Sequence, residues 1–228
     1  MNLGLAIEAS AVIVSALATM IVAAKKRMDL VGVYALAVVT SFGGGTLRDL
    51  LLDRRPFFWV ARWEYLAIVF VMCLLFVYSR RLYEWSATLV ARADIVDALG
   101  LGLFTVSGTA LAAHVGMPAV VCVLLGVLTS TGGGVARDLI INEVPQLFQH
   151  GRLHATSALV GAAAYLLLTR IGMREALASV LAASLIVTVR LVALWMGTAL
   201  PKPHWLRTGN YRVPAQERGS SSAISGEK

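Results

Sequence analysis

One seven-residue pattern constrains this chain more than anything else in it: Gly43-Gly44-Gly45-Thr46-Leu47-Arg48-Asp49 returns 89 residues later as Gly132-Gly133-Gly134-Val135-Ala136-Arg137-Asp138. Aligned at that offset without a gap, Thr40 to Trp59 and Thr129 to Phe148 share nine of twenty residues. The shared positions include the Thr-Ser pair before the glycines (Thr40-Ser41, Thr129-Ser130) and a proline seven residues beyond the aspartate (Pro56, Pro145). A lone glycine triplet means little where small residues are common. Two triplets, each followed at the same spacing by an Arg-Asp pair, are not a product of composition.

The surroundings of the motif are apolar. Of 228 residues, 58% are hydrophobic and 14% charged, and the mean hydropathy is +0.75, which places the chain among multi-pass membrane proteins. Seven apolar spans, at 5–24, 30–53, 63–79, 94–114, 117–141, 154–170 and 175–198, are each of a length to cross ~30 Å of hydrocarbon. Polar stripes are missing from these spans, so a soluble bundle is excluded. Trp59, Trp63, Trp85 and Trp195 fall near span ends, where an indole sits half in water. Cys73 and Cys122 lie inside spans and read as small buried hydrophobes. The first span has no basic residue before it and reads as retained in the membrane. The net charge of +7 comes from basic linkers between spans and is a matter of topology, not of nucleic acid.

Three spans belong to each copy of the repeat. Three is odd, so the second copy enters the membrane upside down. The fold class is therefore an all-α integral membrane protein of seven transmembrane helices, with two inverted three-helix repeats plus a seventh helix. Repeat 1 covers 5–80, repeat 2 covers 94–172, span seven 174–198, and 201–228 is a polar, disordered cytoplasmic tail. With the N-terminus outside, eleven basic residues face inward (Lys25, Lys26, Arg27, Arg80, Arg81, Arg92, Arg152, Lys202, Arg207, Arg212 and Arg218). Five face outward (Arg54, Arg55, Arg62, Arg170 and Arg174), which favours N-outside and C-inside.

The motif carries the chemistry. Each glycine costs roughly 1 kcal/mol in a helix interior relative to alanine, so Gly43 to Gly45 and Gly132 to Gly134 are expected to break their helices beside a polar pathway. Close helix packing is the other use of such a triplet. An arginine placed centrally in a bilayer costs at least ~2.5–3.5 kcal/mol, so Arg48 and Arg137 need partners. Inverted symmetry suggests that Arg48 meets Asp138 and Arg137 meets Asp49. The hydroxyls of Thr40, Ser41, Thr129, Ser130 and Ser107 are candidates for the lining of the pathway. Glu8 falls opposite Asp97 at the 89-residue offset; both read first as helix-start acids favoured by the macrodipole, with functional carboxylates as the other reading. Arg190 stands alone in span seven and must face protein or water. His114, His150 and His154 show no metal-ligand spacing and no activated nucleophile is evident, so an enzyme is not expected.

From this chemistry two functions stay open. Carbonyls at a broken helix can replace the hydration shell of a monovalent cation. Paired guanidinium and carboxylate groups can equally grip a small zwitterion such as glycine in a secondary transporter.

At the doubled motif, at Lys26-Arg27-Met28-Asp29-Leu30-Val31-Gly32-Val33 and at Ser107-Gly108, the sequence resembles the prokaryotic trimeric intracellular cation channels. That family includes bacterial inner-membrane proteins described as glycine transporters, and the resemblance covers roughly residues 5 to 198. It implies a prokaryotic inner-membrane homotrimer in contact with membrane lipid, with an hourglass pore within each subunit. The permeant ion it implies is K⁺, and Na⁺ as well, with no cofactor, bound metal or nucleic-acid partner. Carried over position by position, the two glycine triplets and Arg48, Asp49, Arg137 and Asp138 are the motif residues. Ala18-Thr19 departs from the pattern, because Ser-Gly often stands there in family members.

Overall fold

A computed structural model describes residues 3–82, 93–149 and 153–196. The tail 201–228, Trp85, Arg92, His150 and Arg152 lie outside the described residues. Seven helices of fifteen residues or more follow one another among the described residues: α1 (Leu3–Lys25), α2 (Leu30–Leu51), α3 (Glu64–Tyr78), α4 (Ala93–His114), α5 (Ala119–Ile140), α6 (His154–Arg170) and α7 (Glu175–Met196). A short helical turn, Phe58–Ala61, lies between α2 and α3, and a 3₁₀ turn, Gln146–Phe148, lies between α5 and α6. Five of the helices have at least eighteen residues and the hydropathy to cross a membrane, while α3 and α6 have 15 and 17 residues.

The solvent preference of a soluble protein is inverted. Large apolar side chains such as Val31, Leu124, Leu139 and Trp195 point outward, while Arg48, Asp49, Arg137, Asp138 and Arg190 are buried. In hydrocarbon the outward apolar surface has no cost, and the charges must find partners inside.

The two repeats match turn by turn. Asp29 caps α2 by accepting from the Gly32 N–H at 2.8 Å, and Pro118 stands at the equivalent position before α5. Asp53 and Asn142, 89 residues apart, both adopt a left-handed backbone just after α2 and α5. Buried positions of α3 (Tyr65, Val69, Cys73, Phe76) correspond one for one to buried positions of α6 (His154, Ala158, Ala162, Tyr165). α2 packs on α5 and α1 on α4, so these four helices form the centre. α3 leans on α1 and α2, and α6 on α4 and α5. α7 packs against α4 and α6 and has no counterpart on the other side.

The expected helix breaks are absent. α2 and α5 run as unbroken α-helices through both triplets. Packing is what the glycines serve: the Gly44 Cα faces the Thr129 carbonyl so closely that an added Cβ would collide with it, and Gly133 faces the Thr40 carbonyl in the same way. Position 44 plus 89 is 133, and 40 plus 89 is 129, so the contact is reciprocal. A pseudo-twofold axis therefore passes through the α2–α5 crossing.

Candidate functional site

The arginines of the motif lie three residues before the C-terminal ends of α2 and α5. Each is held by its own neighbour. Arg48 Nε and NH2 donate to Asp49 Oδ1 at 2.9 and 2.8 Å, and Arg137 Nε and NH2 donate to Asp138 Oδ1 at the same two distances. The other carboxylate oxygen fastens the following turn: Asp49 Oδ2 accepts the Phe58 N–H at 2.7 Å, and Asp138 Oδ2 accepts the Gln146 N–H at 3.0 Å. The cross-repeat pairing of Arg48 with Asp138 and Arg137 with Asp49 is thus corrected. Each aspartate is already engaged by the arginine beside it and by the backbone that its own proline-containing linker brings back.

A second carboxylate in each half comes from the first helix of the same repeat. Arg48 NH2 reaches Glu8 Oε1 at 3.2 Å, and Arg137 NH1 reaches Asp97 Oδ1 at 3.6 Å. Glu8 and Asp97 are the residues read above as plain helix-start acids; their match at the 89-residue offset was the signal, and the macrodipole reading undervalued it. Each cluster also holds a second arginine. Arg54 NH1 lies 3.6 Å from Asp49 Oδ1. Arg190 NH2 lies 2.7 Å from Asp97 Oδ2 and 3.1 Å from Gln146 Oε1, which gives the solitary charge of span seven its partner. His154 Nδ1 stands 3.9 Å from the same Asp97 oxygen. Two guanidinium groups therefore face two carboxylates in each cluster, and the formal charges cancel. Phe58 covers Arg48, with the ring centroid 5.3 Å from its Cζ; neither Phe58 nor Gln146 had a signal in the sequence.

The clusters floor two cavities at opposite ends of the bundle. One opens where α1 and α7 begin and α2 and α4 end; Glu8, Arg48, Arg54, Ser107, His114 and Glu175 line it. The other, a narrow one, opens where α4 and α6 begin and α5 ends; Asp97, Arg137, Asp138, Gln146 and His154 line it. Ser15, Ala18, Thr40, Phe104, Ser130 and Gly134 carry the second cavity inward. The deepest α4 residues of the two, Phe104 and Val106, are two positions apart, or roughly 3 Å along the helix.

The polar candidates separate accordingly. Ser107 lines the first cavity and accepts from Arg48 NH1 at 3.5 Å, whereas Thr40 and Ser130 line the second. Thr40 and Thr129 turn their hydroxyls onto their own helices, to the Leu36 and Leu125 carbonyls at 2.7 and 2.6 Å. Ser41 donates to the Val12 carbonyl at 3.4 Å and ties α2 to α1. Neither Ser41 nor Thr129 lines either cavity. Ala18, opposite Ser107 at the repeat offset, has no hydroxyl to offer Arg137, so the two cavities differ at that point.

Comparison with known proteins places this architecture. The TRIC trimeric intracellular cation channel orthologue from Rhodobacter sphaeroides superposes with a TM-score of 0.78 at 30% identity, covering 87% of this chain and all of that one. A family model described as glycine transporter matches residues 5–81 and again 94–170, the extents of the two repeats. The chain belongs to the prokaryotic TRIC family. Its relatives in that family include the UPF0126 inner membrane protein YadS of Escherichia coli K12, 35% identical over 152 residues that make up 65% of this chain and 70% of YadS. A UPF0126 membrane protein of Deinococcus radiodurans is 39% identical over 146 residues, 63% of this chain and 66% of its own length. Like these relatives, the family member described here is a multi-pass membrane protein.

Proposed function

We propose that the chain is a monovalent cation channel, permeable to K⁺ and also to Na⁺, with one pore inside each subunit between the two repeats. One observation carries this reading: two cavities enter from opposite ends, each floored by a cluster of two arginines and two carboxylates whose charges cancel. A cation entering either cavity meets no net positive charge, which answers the objection that arginines would repel it. The likeness to the Rhodobacter channel orthologue supports the same reading and, with it, a homotrimer surrounded by lipid. The relation to YadS supports a place in the bacterial inner membrane, with the N-terminus outside by the basic-residue count. A conducting pore does no covalent chemistry, and no enzymatic role is proposed.

In this state the pore is closed. The plug is the stretch of α4 between Phe104 and Val106, and the buried Phe104 stands at the position where the other repeat has the smaller Ser15. An apolar constriction of this kind stops ions by excluding water. Opening requires the ring to move aside.

The family model's description favours a second reading, a glycine carrier. The groups that would grip glycine are, however, occupied. Both aspartates accept guanidinium and backbone N–H bonds, and both motif arginines are shared between two carboxylates. Proteoliposomes distinguish the two. With protein present, an imposed K⁺ gradient is expected to collapse without accumulation of labelled glycine; saturable glycine uptake with the K⁺ gradient intact would replace the channel by the carrier.

A further inference from the structure

The two repeats differ on their outer faces. In repeat 1 the groove between α2 and α3 is filled by the chain itself: Tyr34 and Phe70 pack edge to face with centroids 5.2 Å apart, and the Tyr34 hydroxyl donates to the Leu66 carbonyl at 3.5 Å. The equivalent positions in repeat 2, 89 residues on, are Val123 and Leu159. Two further large side chains are also reduced, Leu74 to Ala163 and Tyr78 to Leu167. The register is secure, because the buried positions of α3 and α6 coincide at this offset. The outcome is an open groove between α5 and α6, apolar along its length, with Arg170 at one end.

Three properties identify what fits there. From Leu159 to Arg170 the groove runs eleven residues of α6, roughly 16 Å, about half of a ~30 Å hydrocarbon core. That is the depth of one leaflet, the distance an acyl chain covers. Arg170 is the last residue of α6, at the level where headgroups lie, and it is exposed and makes no ion pair among the described residues. A guanidinium suits a phosphate diester, with two parallel hydrogen bonds. A second copy of the chain seated on this groove would instead cover Arg170 and need an acidic group against it. We propose that the α5–α6 groove binds one acyl chain of an anionic phospholipid, with the lipid phosphate held by Arg170. Repeat 1 builds its own ring pair in the space where repeat 2 takes a lipid.

The test is native mass spectrometry of the full-length protein, purified in detergent and supplied with dioleoylphosphatidylglycerol or dioleoylphosphatidylcholine. Wild type is expected to retain one phosphatidylglycerol per subunit in preference to phosphatidylcholine. Arg170→Gln, which disturbs no packing, should weaken that retention about fivefold, the usual contribution of one basic residue near an anionic surface. Val123→Tyr with Leu159→Phe, which restores the ring pair of repeat 1, should abolish it. Equal retention in wild type and Arg170→Gln would overturn the proposal even if the filled variant fails to fold. Loss of the oligomer in the filled variant, with lipid retention unchanged, would also overturn it and assign the groove to a contact between copies.

Discussion

Arg48 and Arg137 are 1% and 3% exposed, and a buried guanidinium without a counter-charge is among the most destabilising things a chain can contain. The structure gives each one two carboxylates from its own repeat, one adjacent in sequence and one 40 residues earlier. Asp49→Asn or Asp138→Asn should therefore lower stability by about 3–5 kcal/mol, read as a fall in detergent thermal stability. A double-mutant cycle of Arg48→Gln with Glu8→Gln is expected to show coupling of roughly 0.5–3 kcal/mol, whereas Arg48→Gln with Asp138→Asn should be additive. Coupling in the second pair and none in the first would restore the cross-repeat bridge. The sequence made the need for partners legible, since an intramembrane arginine demands one. It did not make their identity legible, because pairing depends on how a linker returns: Pro56 and Pro145 are visible as turns, but not that the next backbone N–H lands on the aspartate.

At the scale of helices, five of the six glycines that looked like breaks are contact points. Helix propensity argues for a break only where nothing is gained by the missing side chain, and here the gain is the approach of α2 to α5. The two glycines beside each other in α5 make this testable. Gly133→Ala drives a Cβ into the Thr40 carbonyl and should cost about 1–3 kcal/mol as the helices are forced apart. Gly134→Ala has nothing within 4 Å and should be neutral or stabilising by up to ~1 kcal/mol. Similar thermal stabilities for the two variants would refute the packing account. On α4, Phe104→Ala removes the ring that lies between the cavities and should raise the K⁺ efflux rate from proteoliposomes. An unchanged or slower efflux would move the constriction elsewhere. Span limits were legible to within two residues at most helix ends because hydropathy reports them directly. The short turn Phe58–Ala61 and the 3₁₀ turn Gln146–Phe148 were not, since what fixes them is tertiary: a backbone hydrogen bond each to an aspartate and side-chain contacts to buried arginines.

The whole molecule follows from an odd number of crossings per repeat. Two copies of one three-helix unit, facing each other about the α2–α5 contact, produce two cavities from one design, and α7 with Arg190 makes the second unlike the first. The topology proposed from basic residues predicts that Asn2→Cys reacts with an impermeant maleimide in intact cells while Ser220→Cys reacts only after lysis; the reverse pattern would invert the molecule. The central claim, that the repeats enclose a cation pore despite four arginines at its two floors, is tested most directly by currents through purified protein in a planar bilayer under a KCl gradient. Unitary current steps with a reversal potential close to that of K⁺ are the predicted result. Steps reversing near the Cl⁻ potential would mean that the arginines, not the carboxylates, select the ion, and would contradict the account.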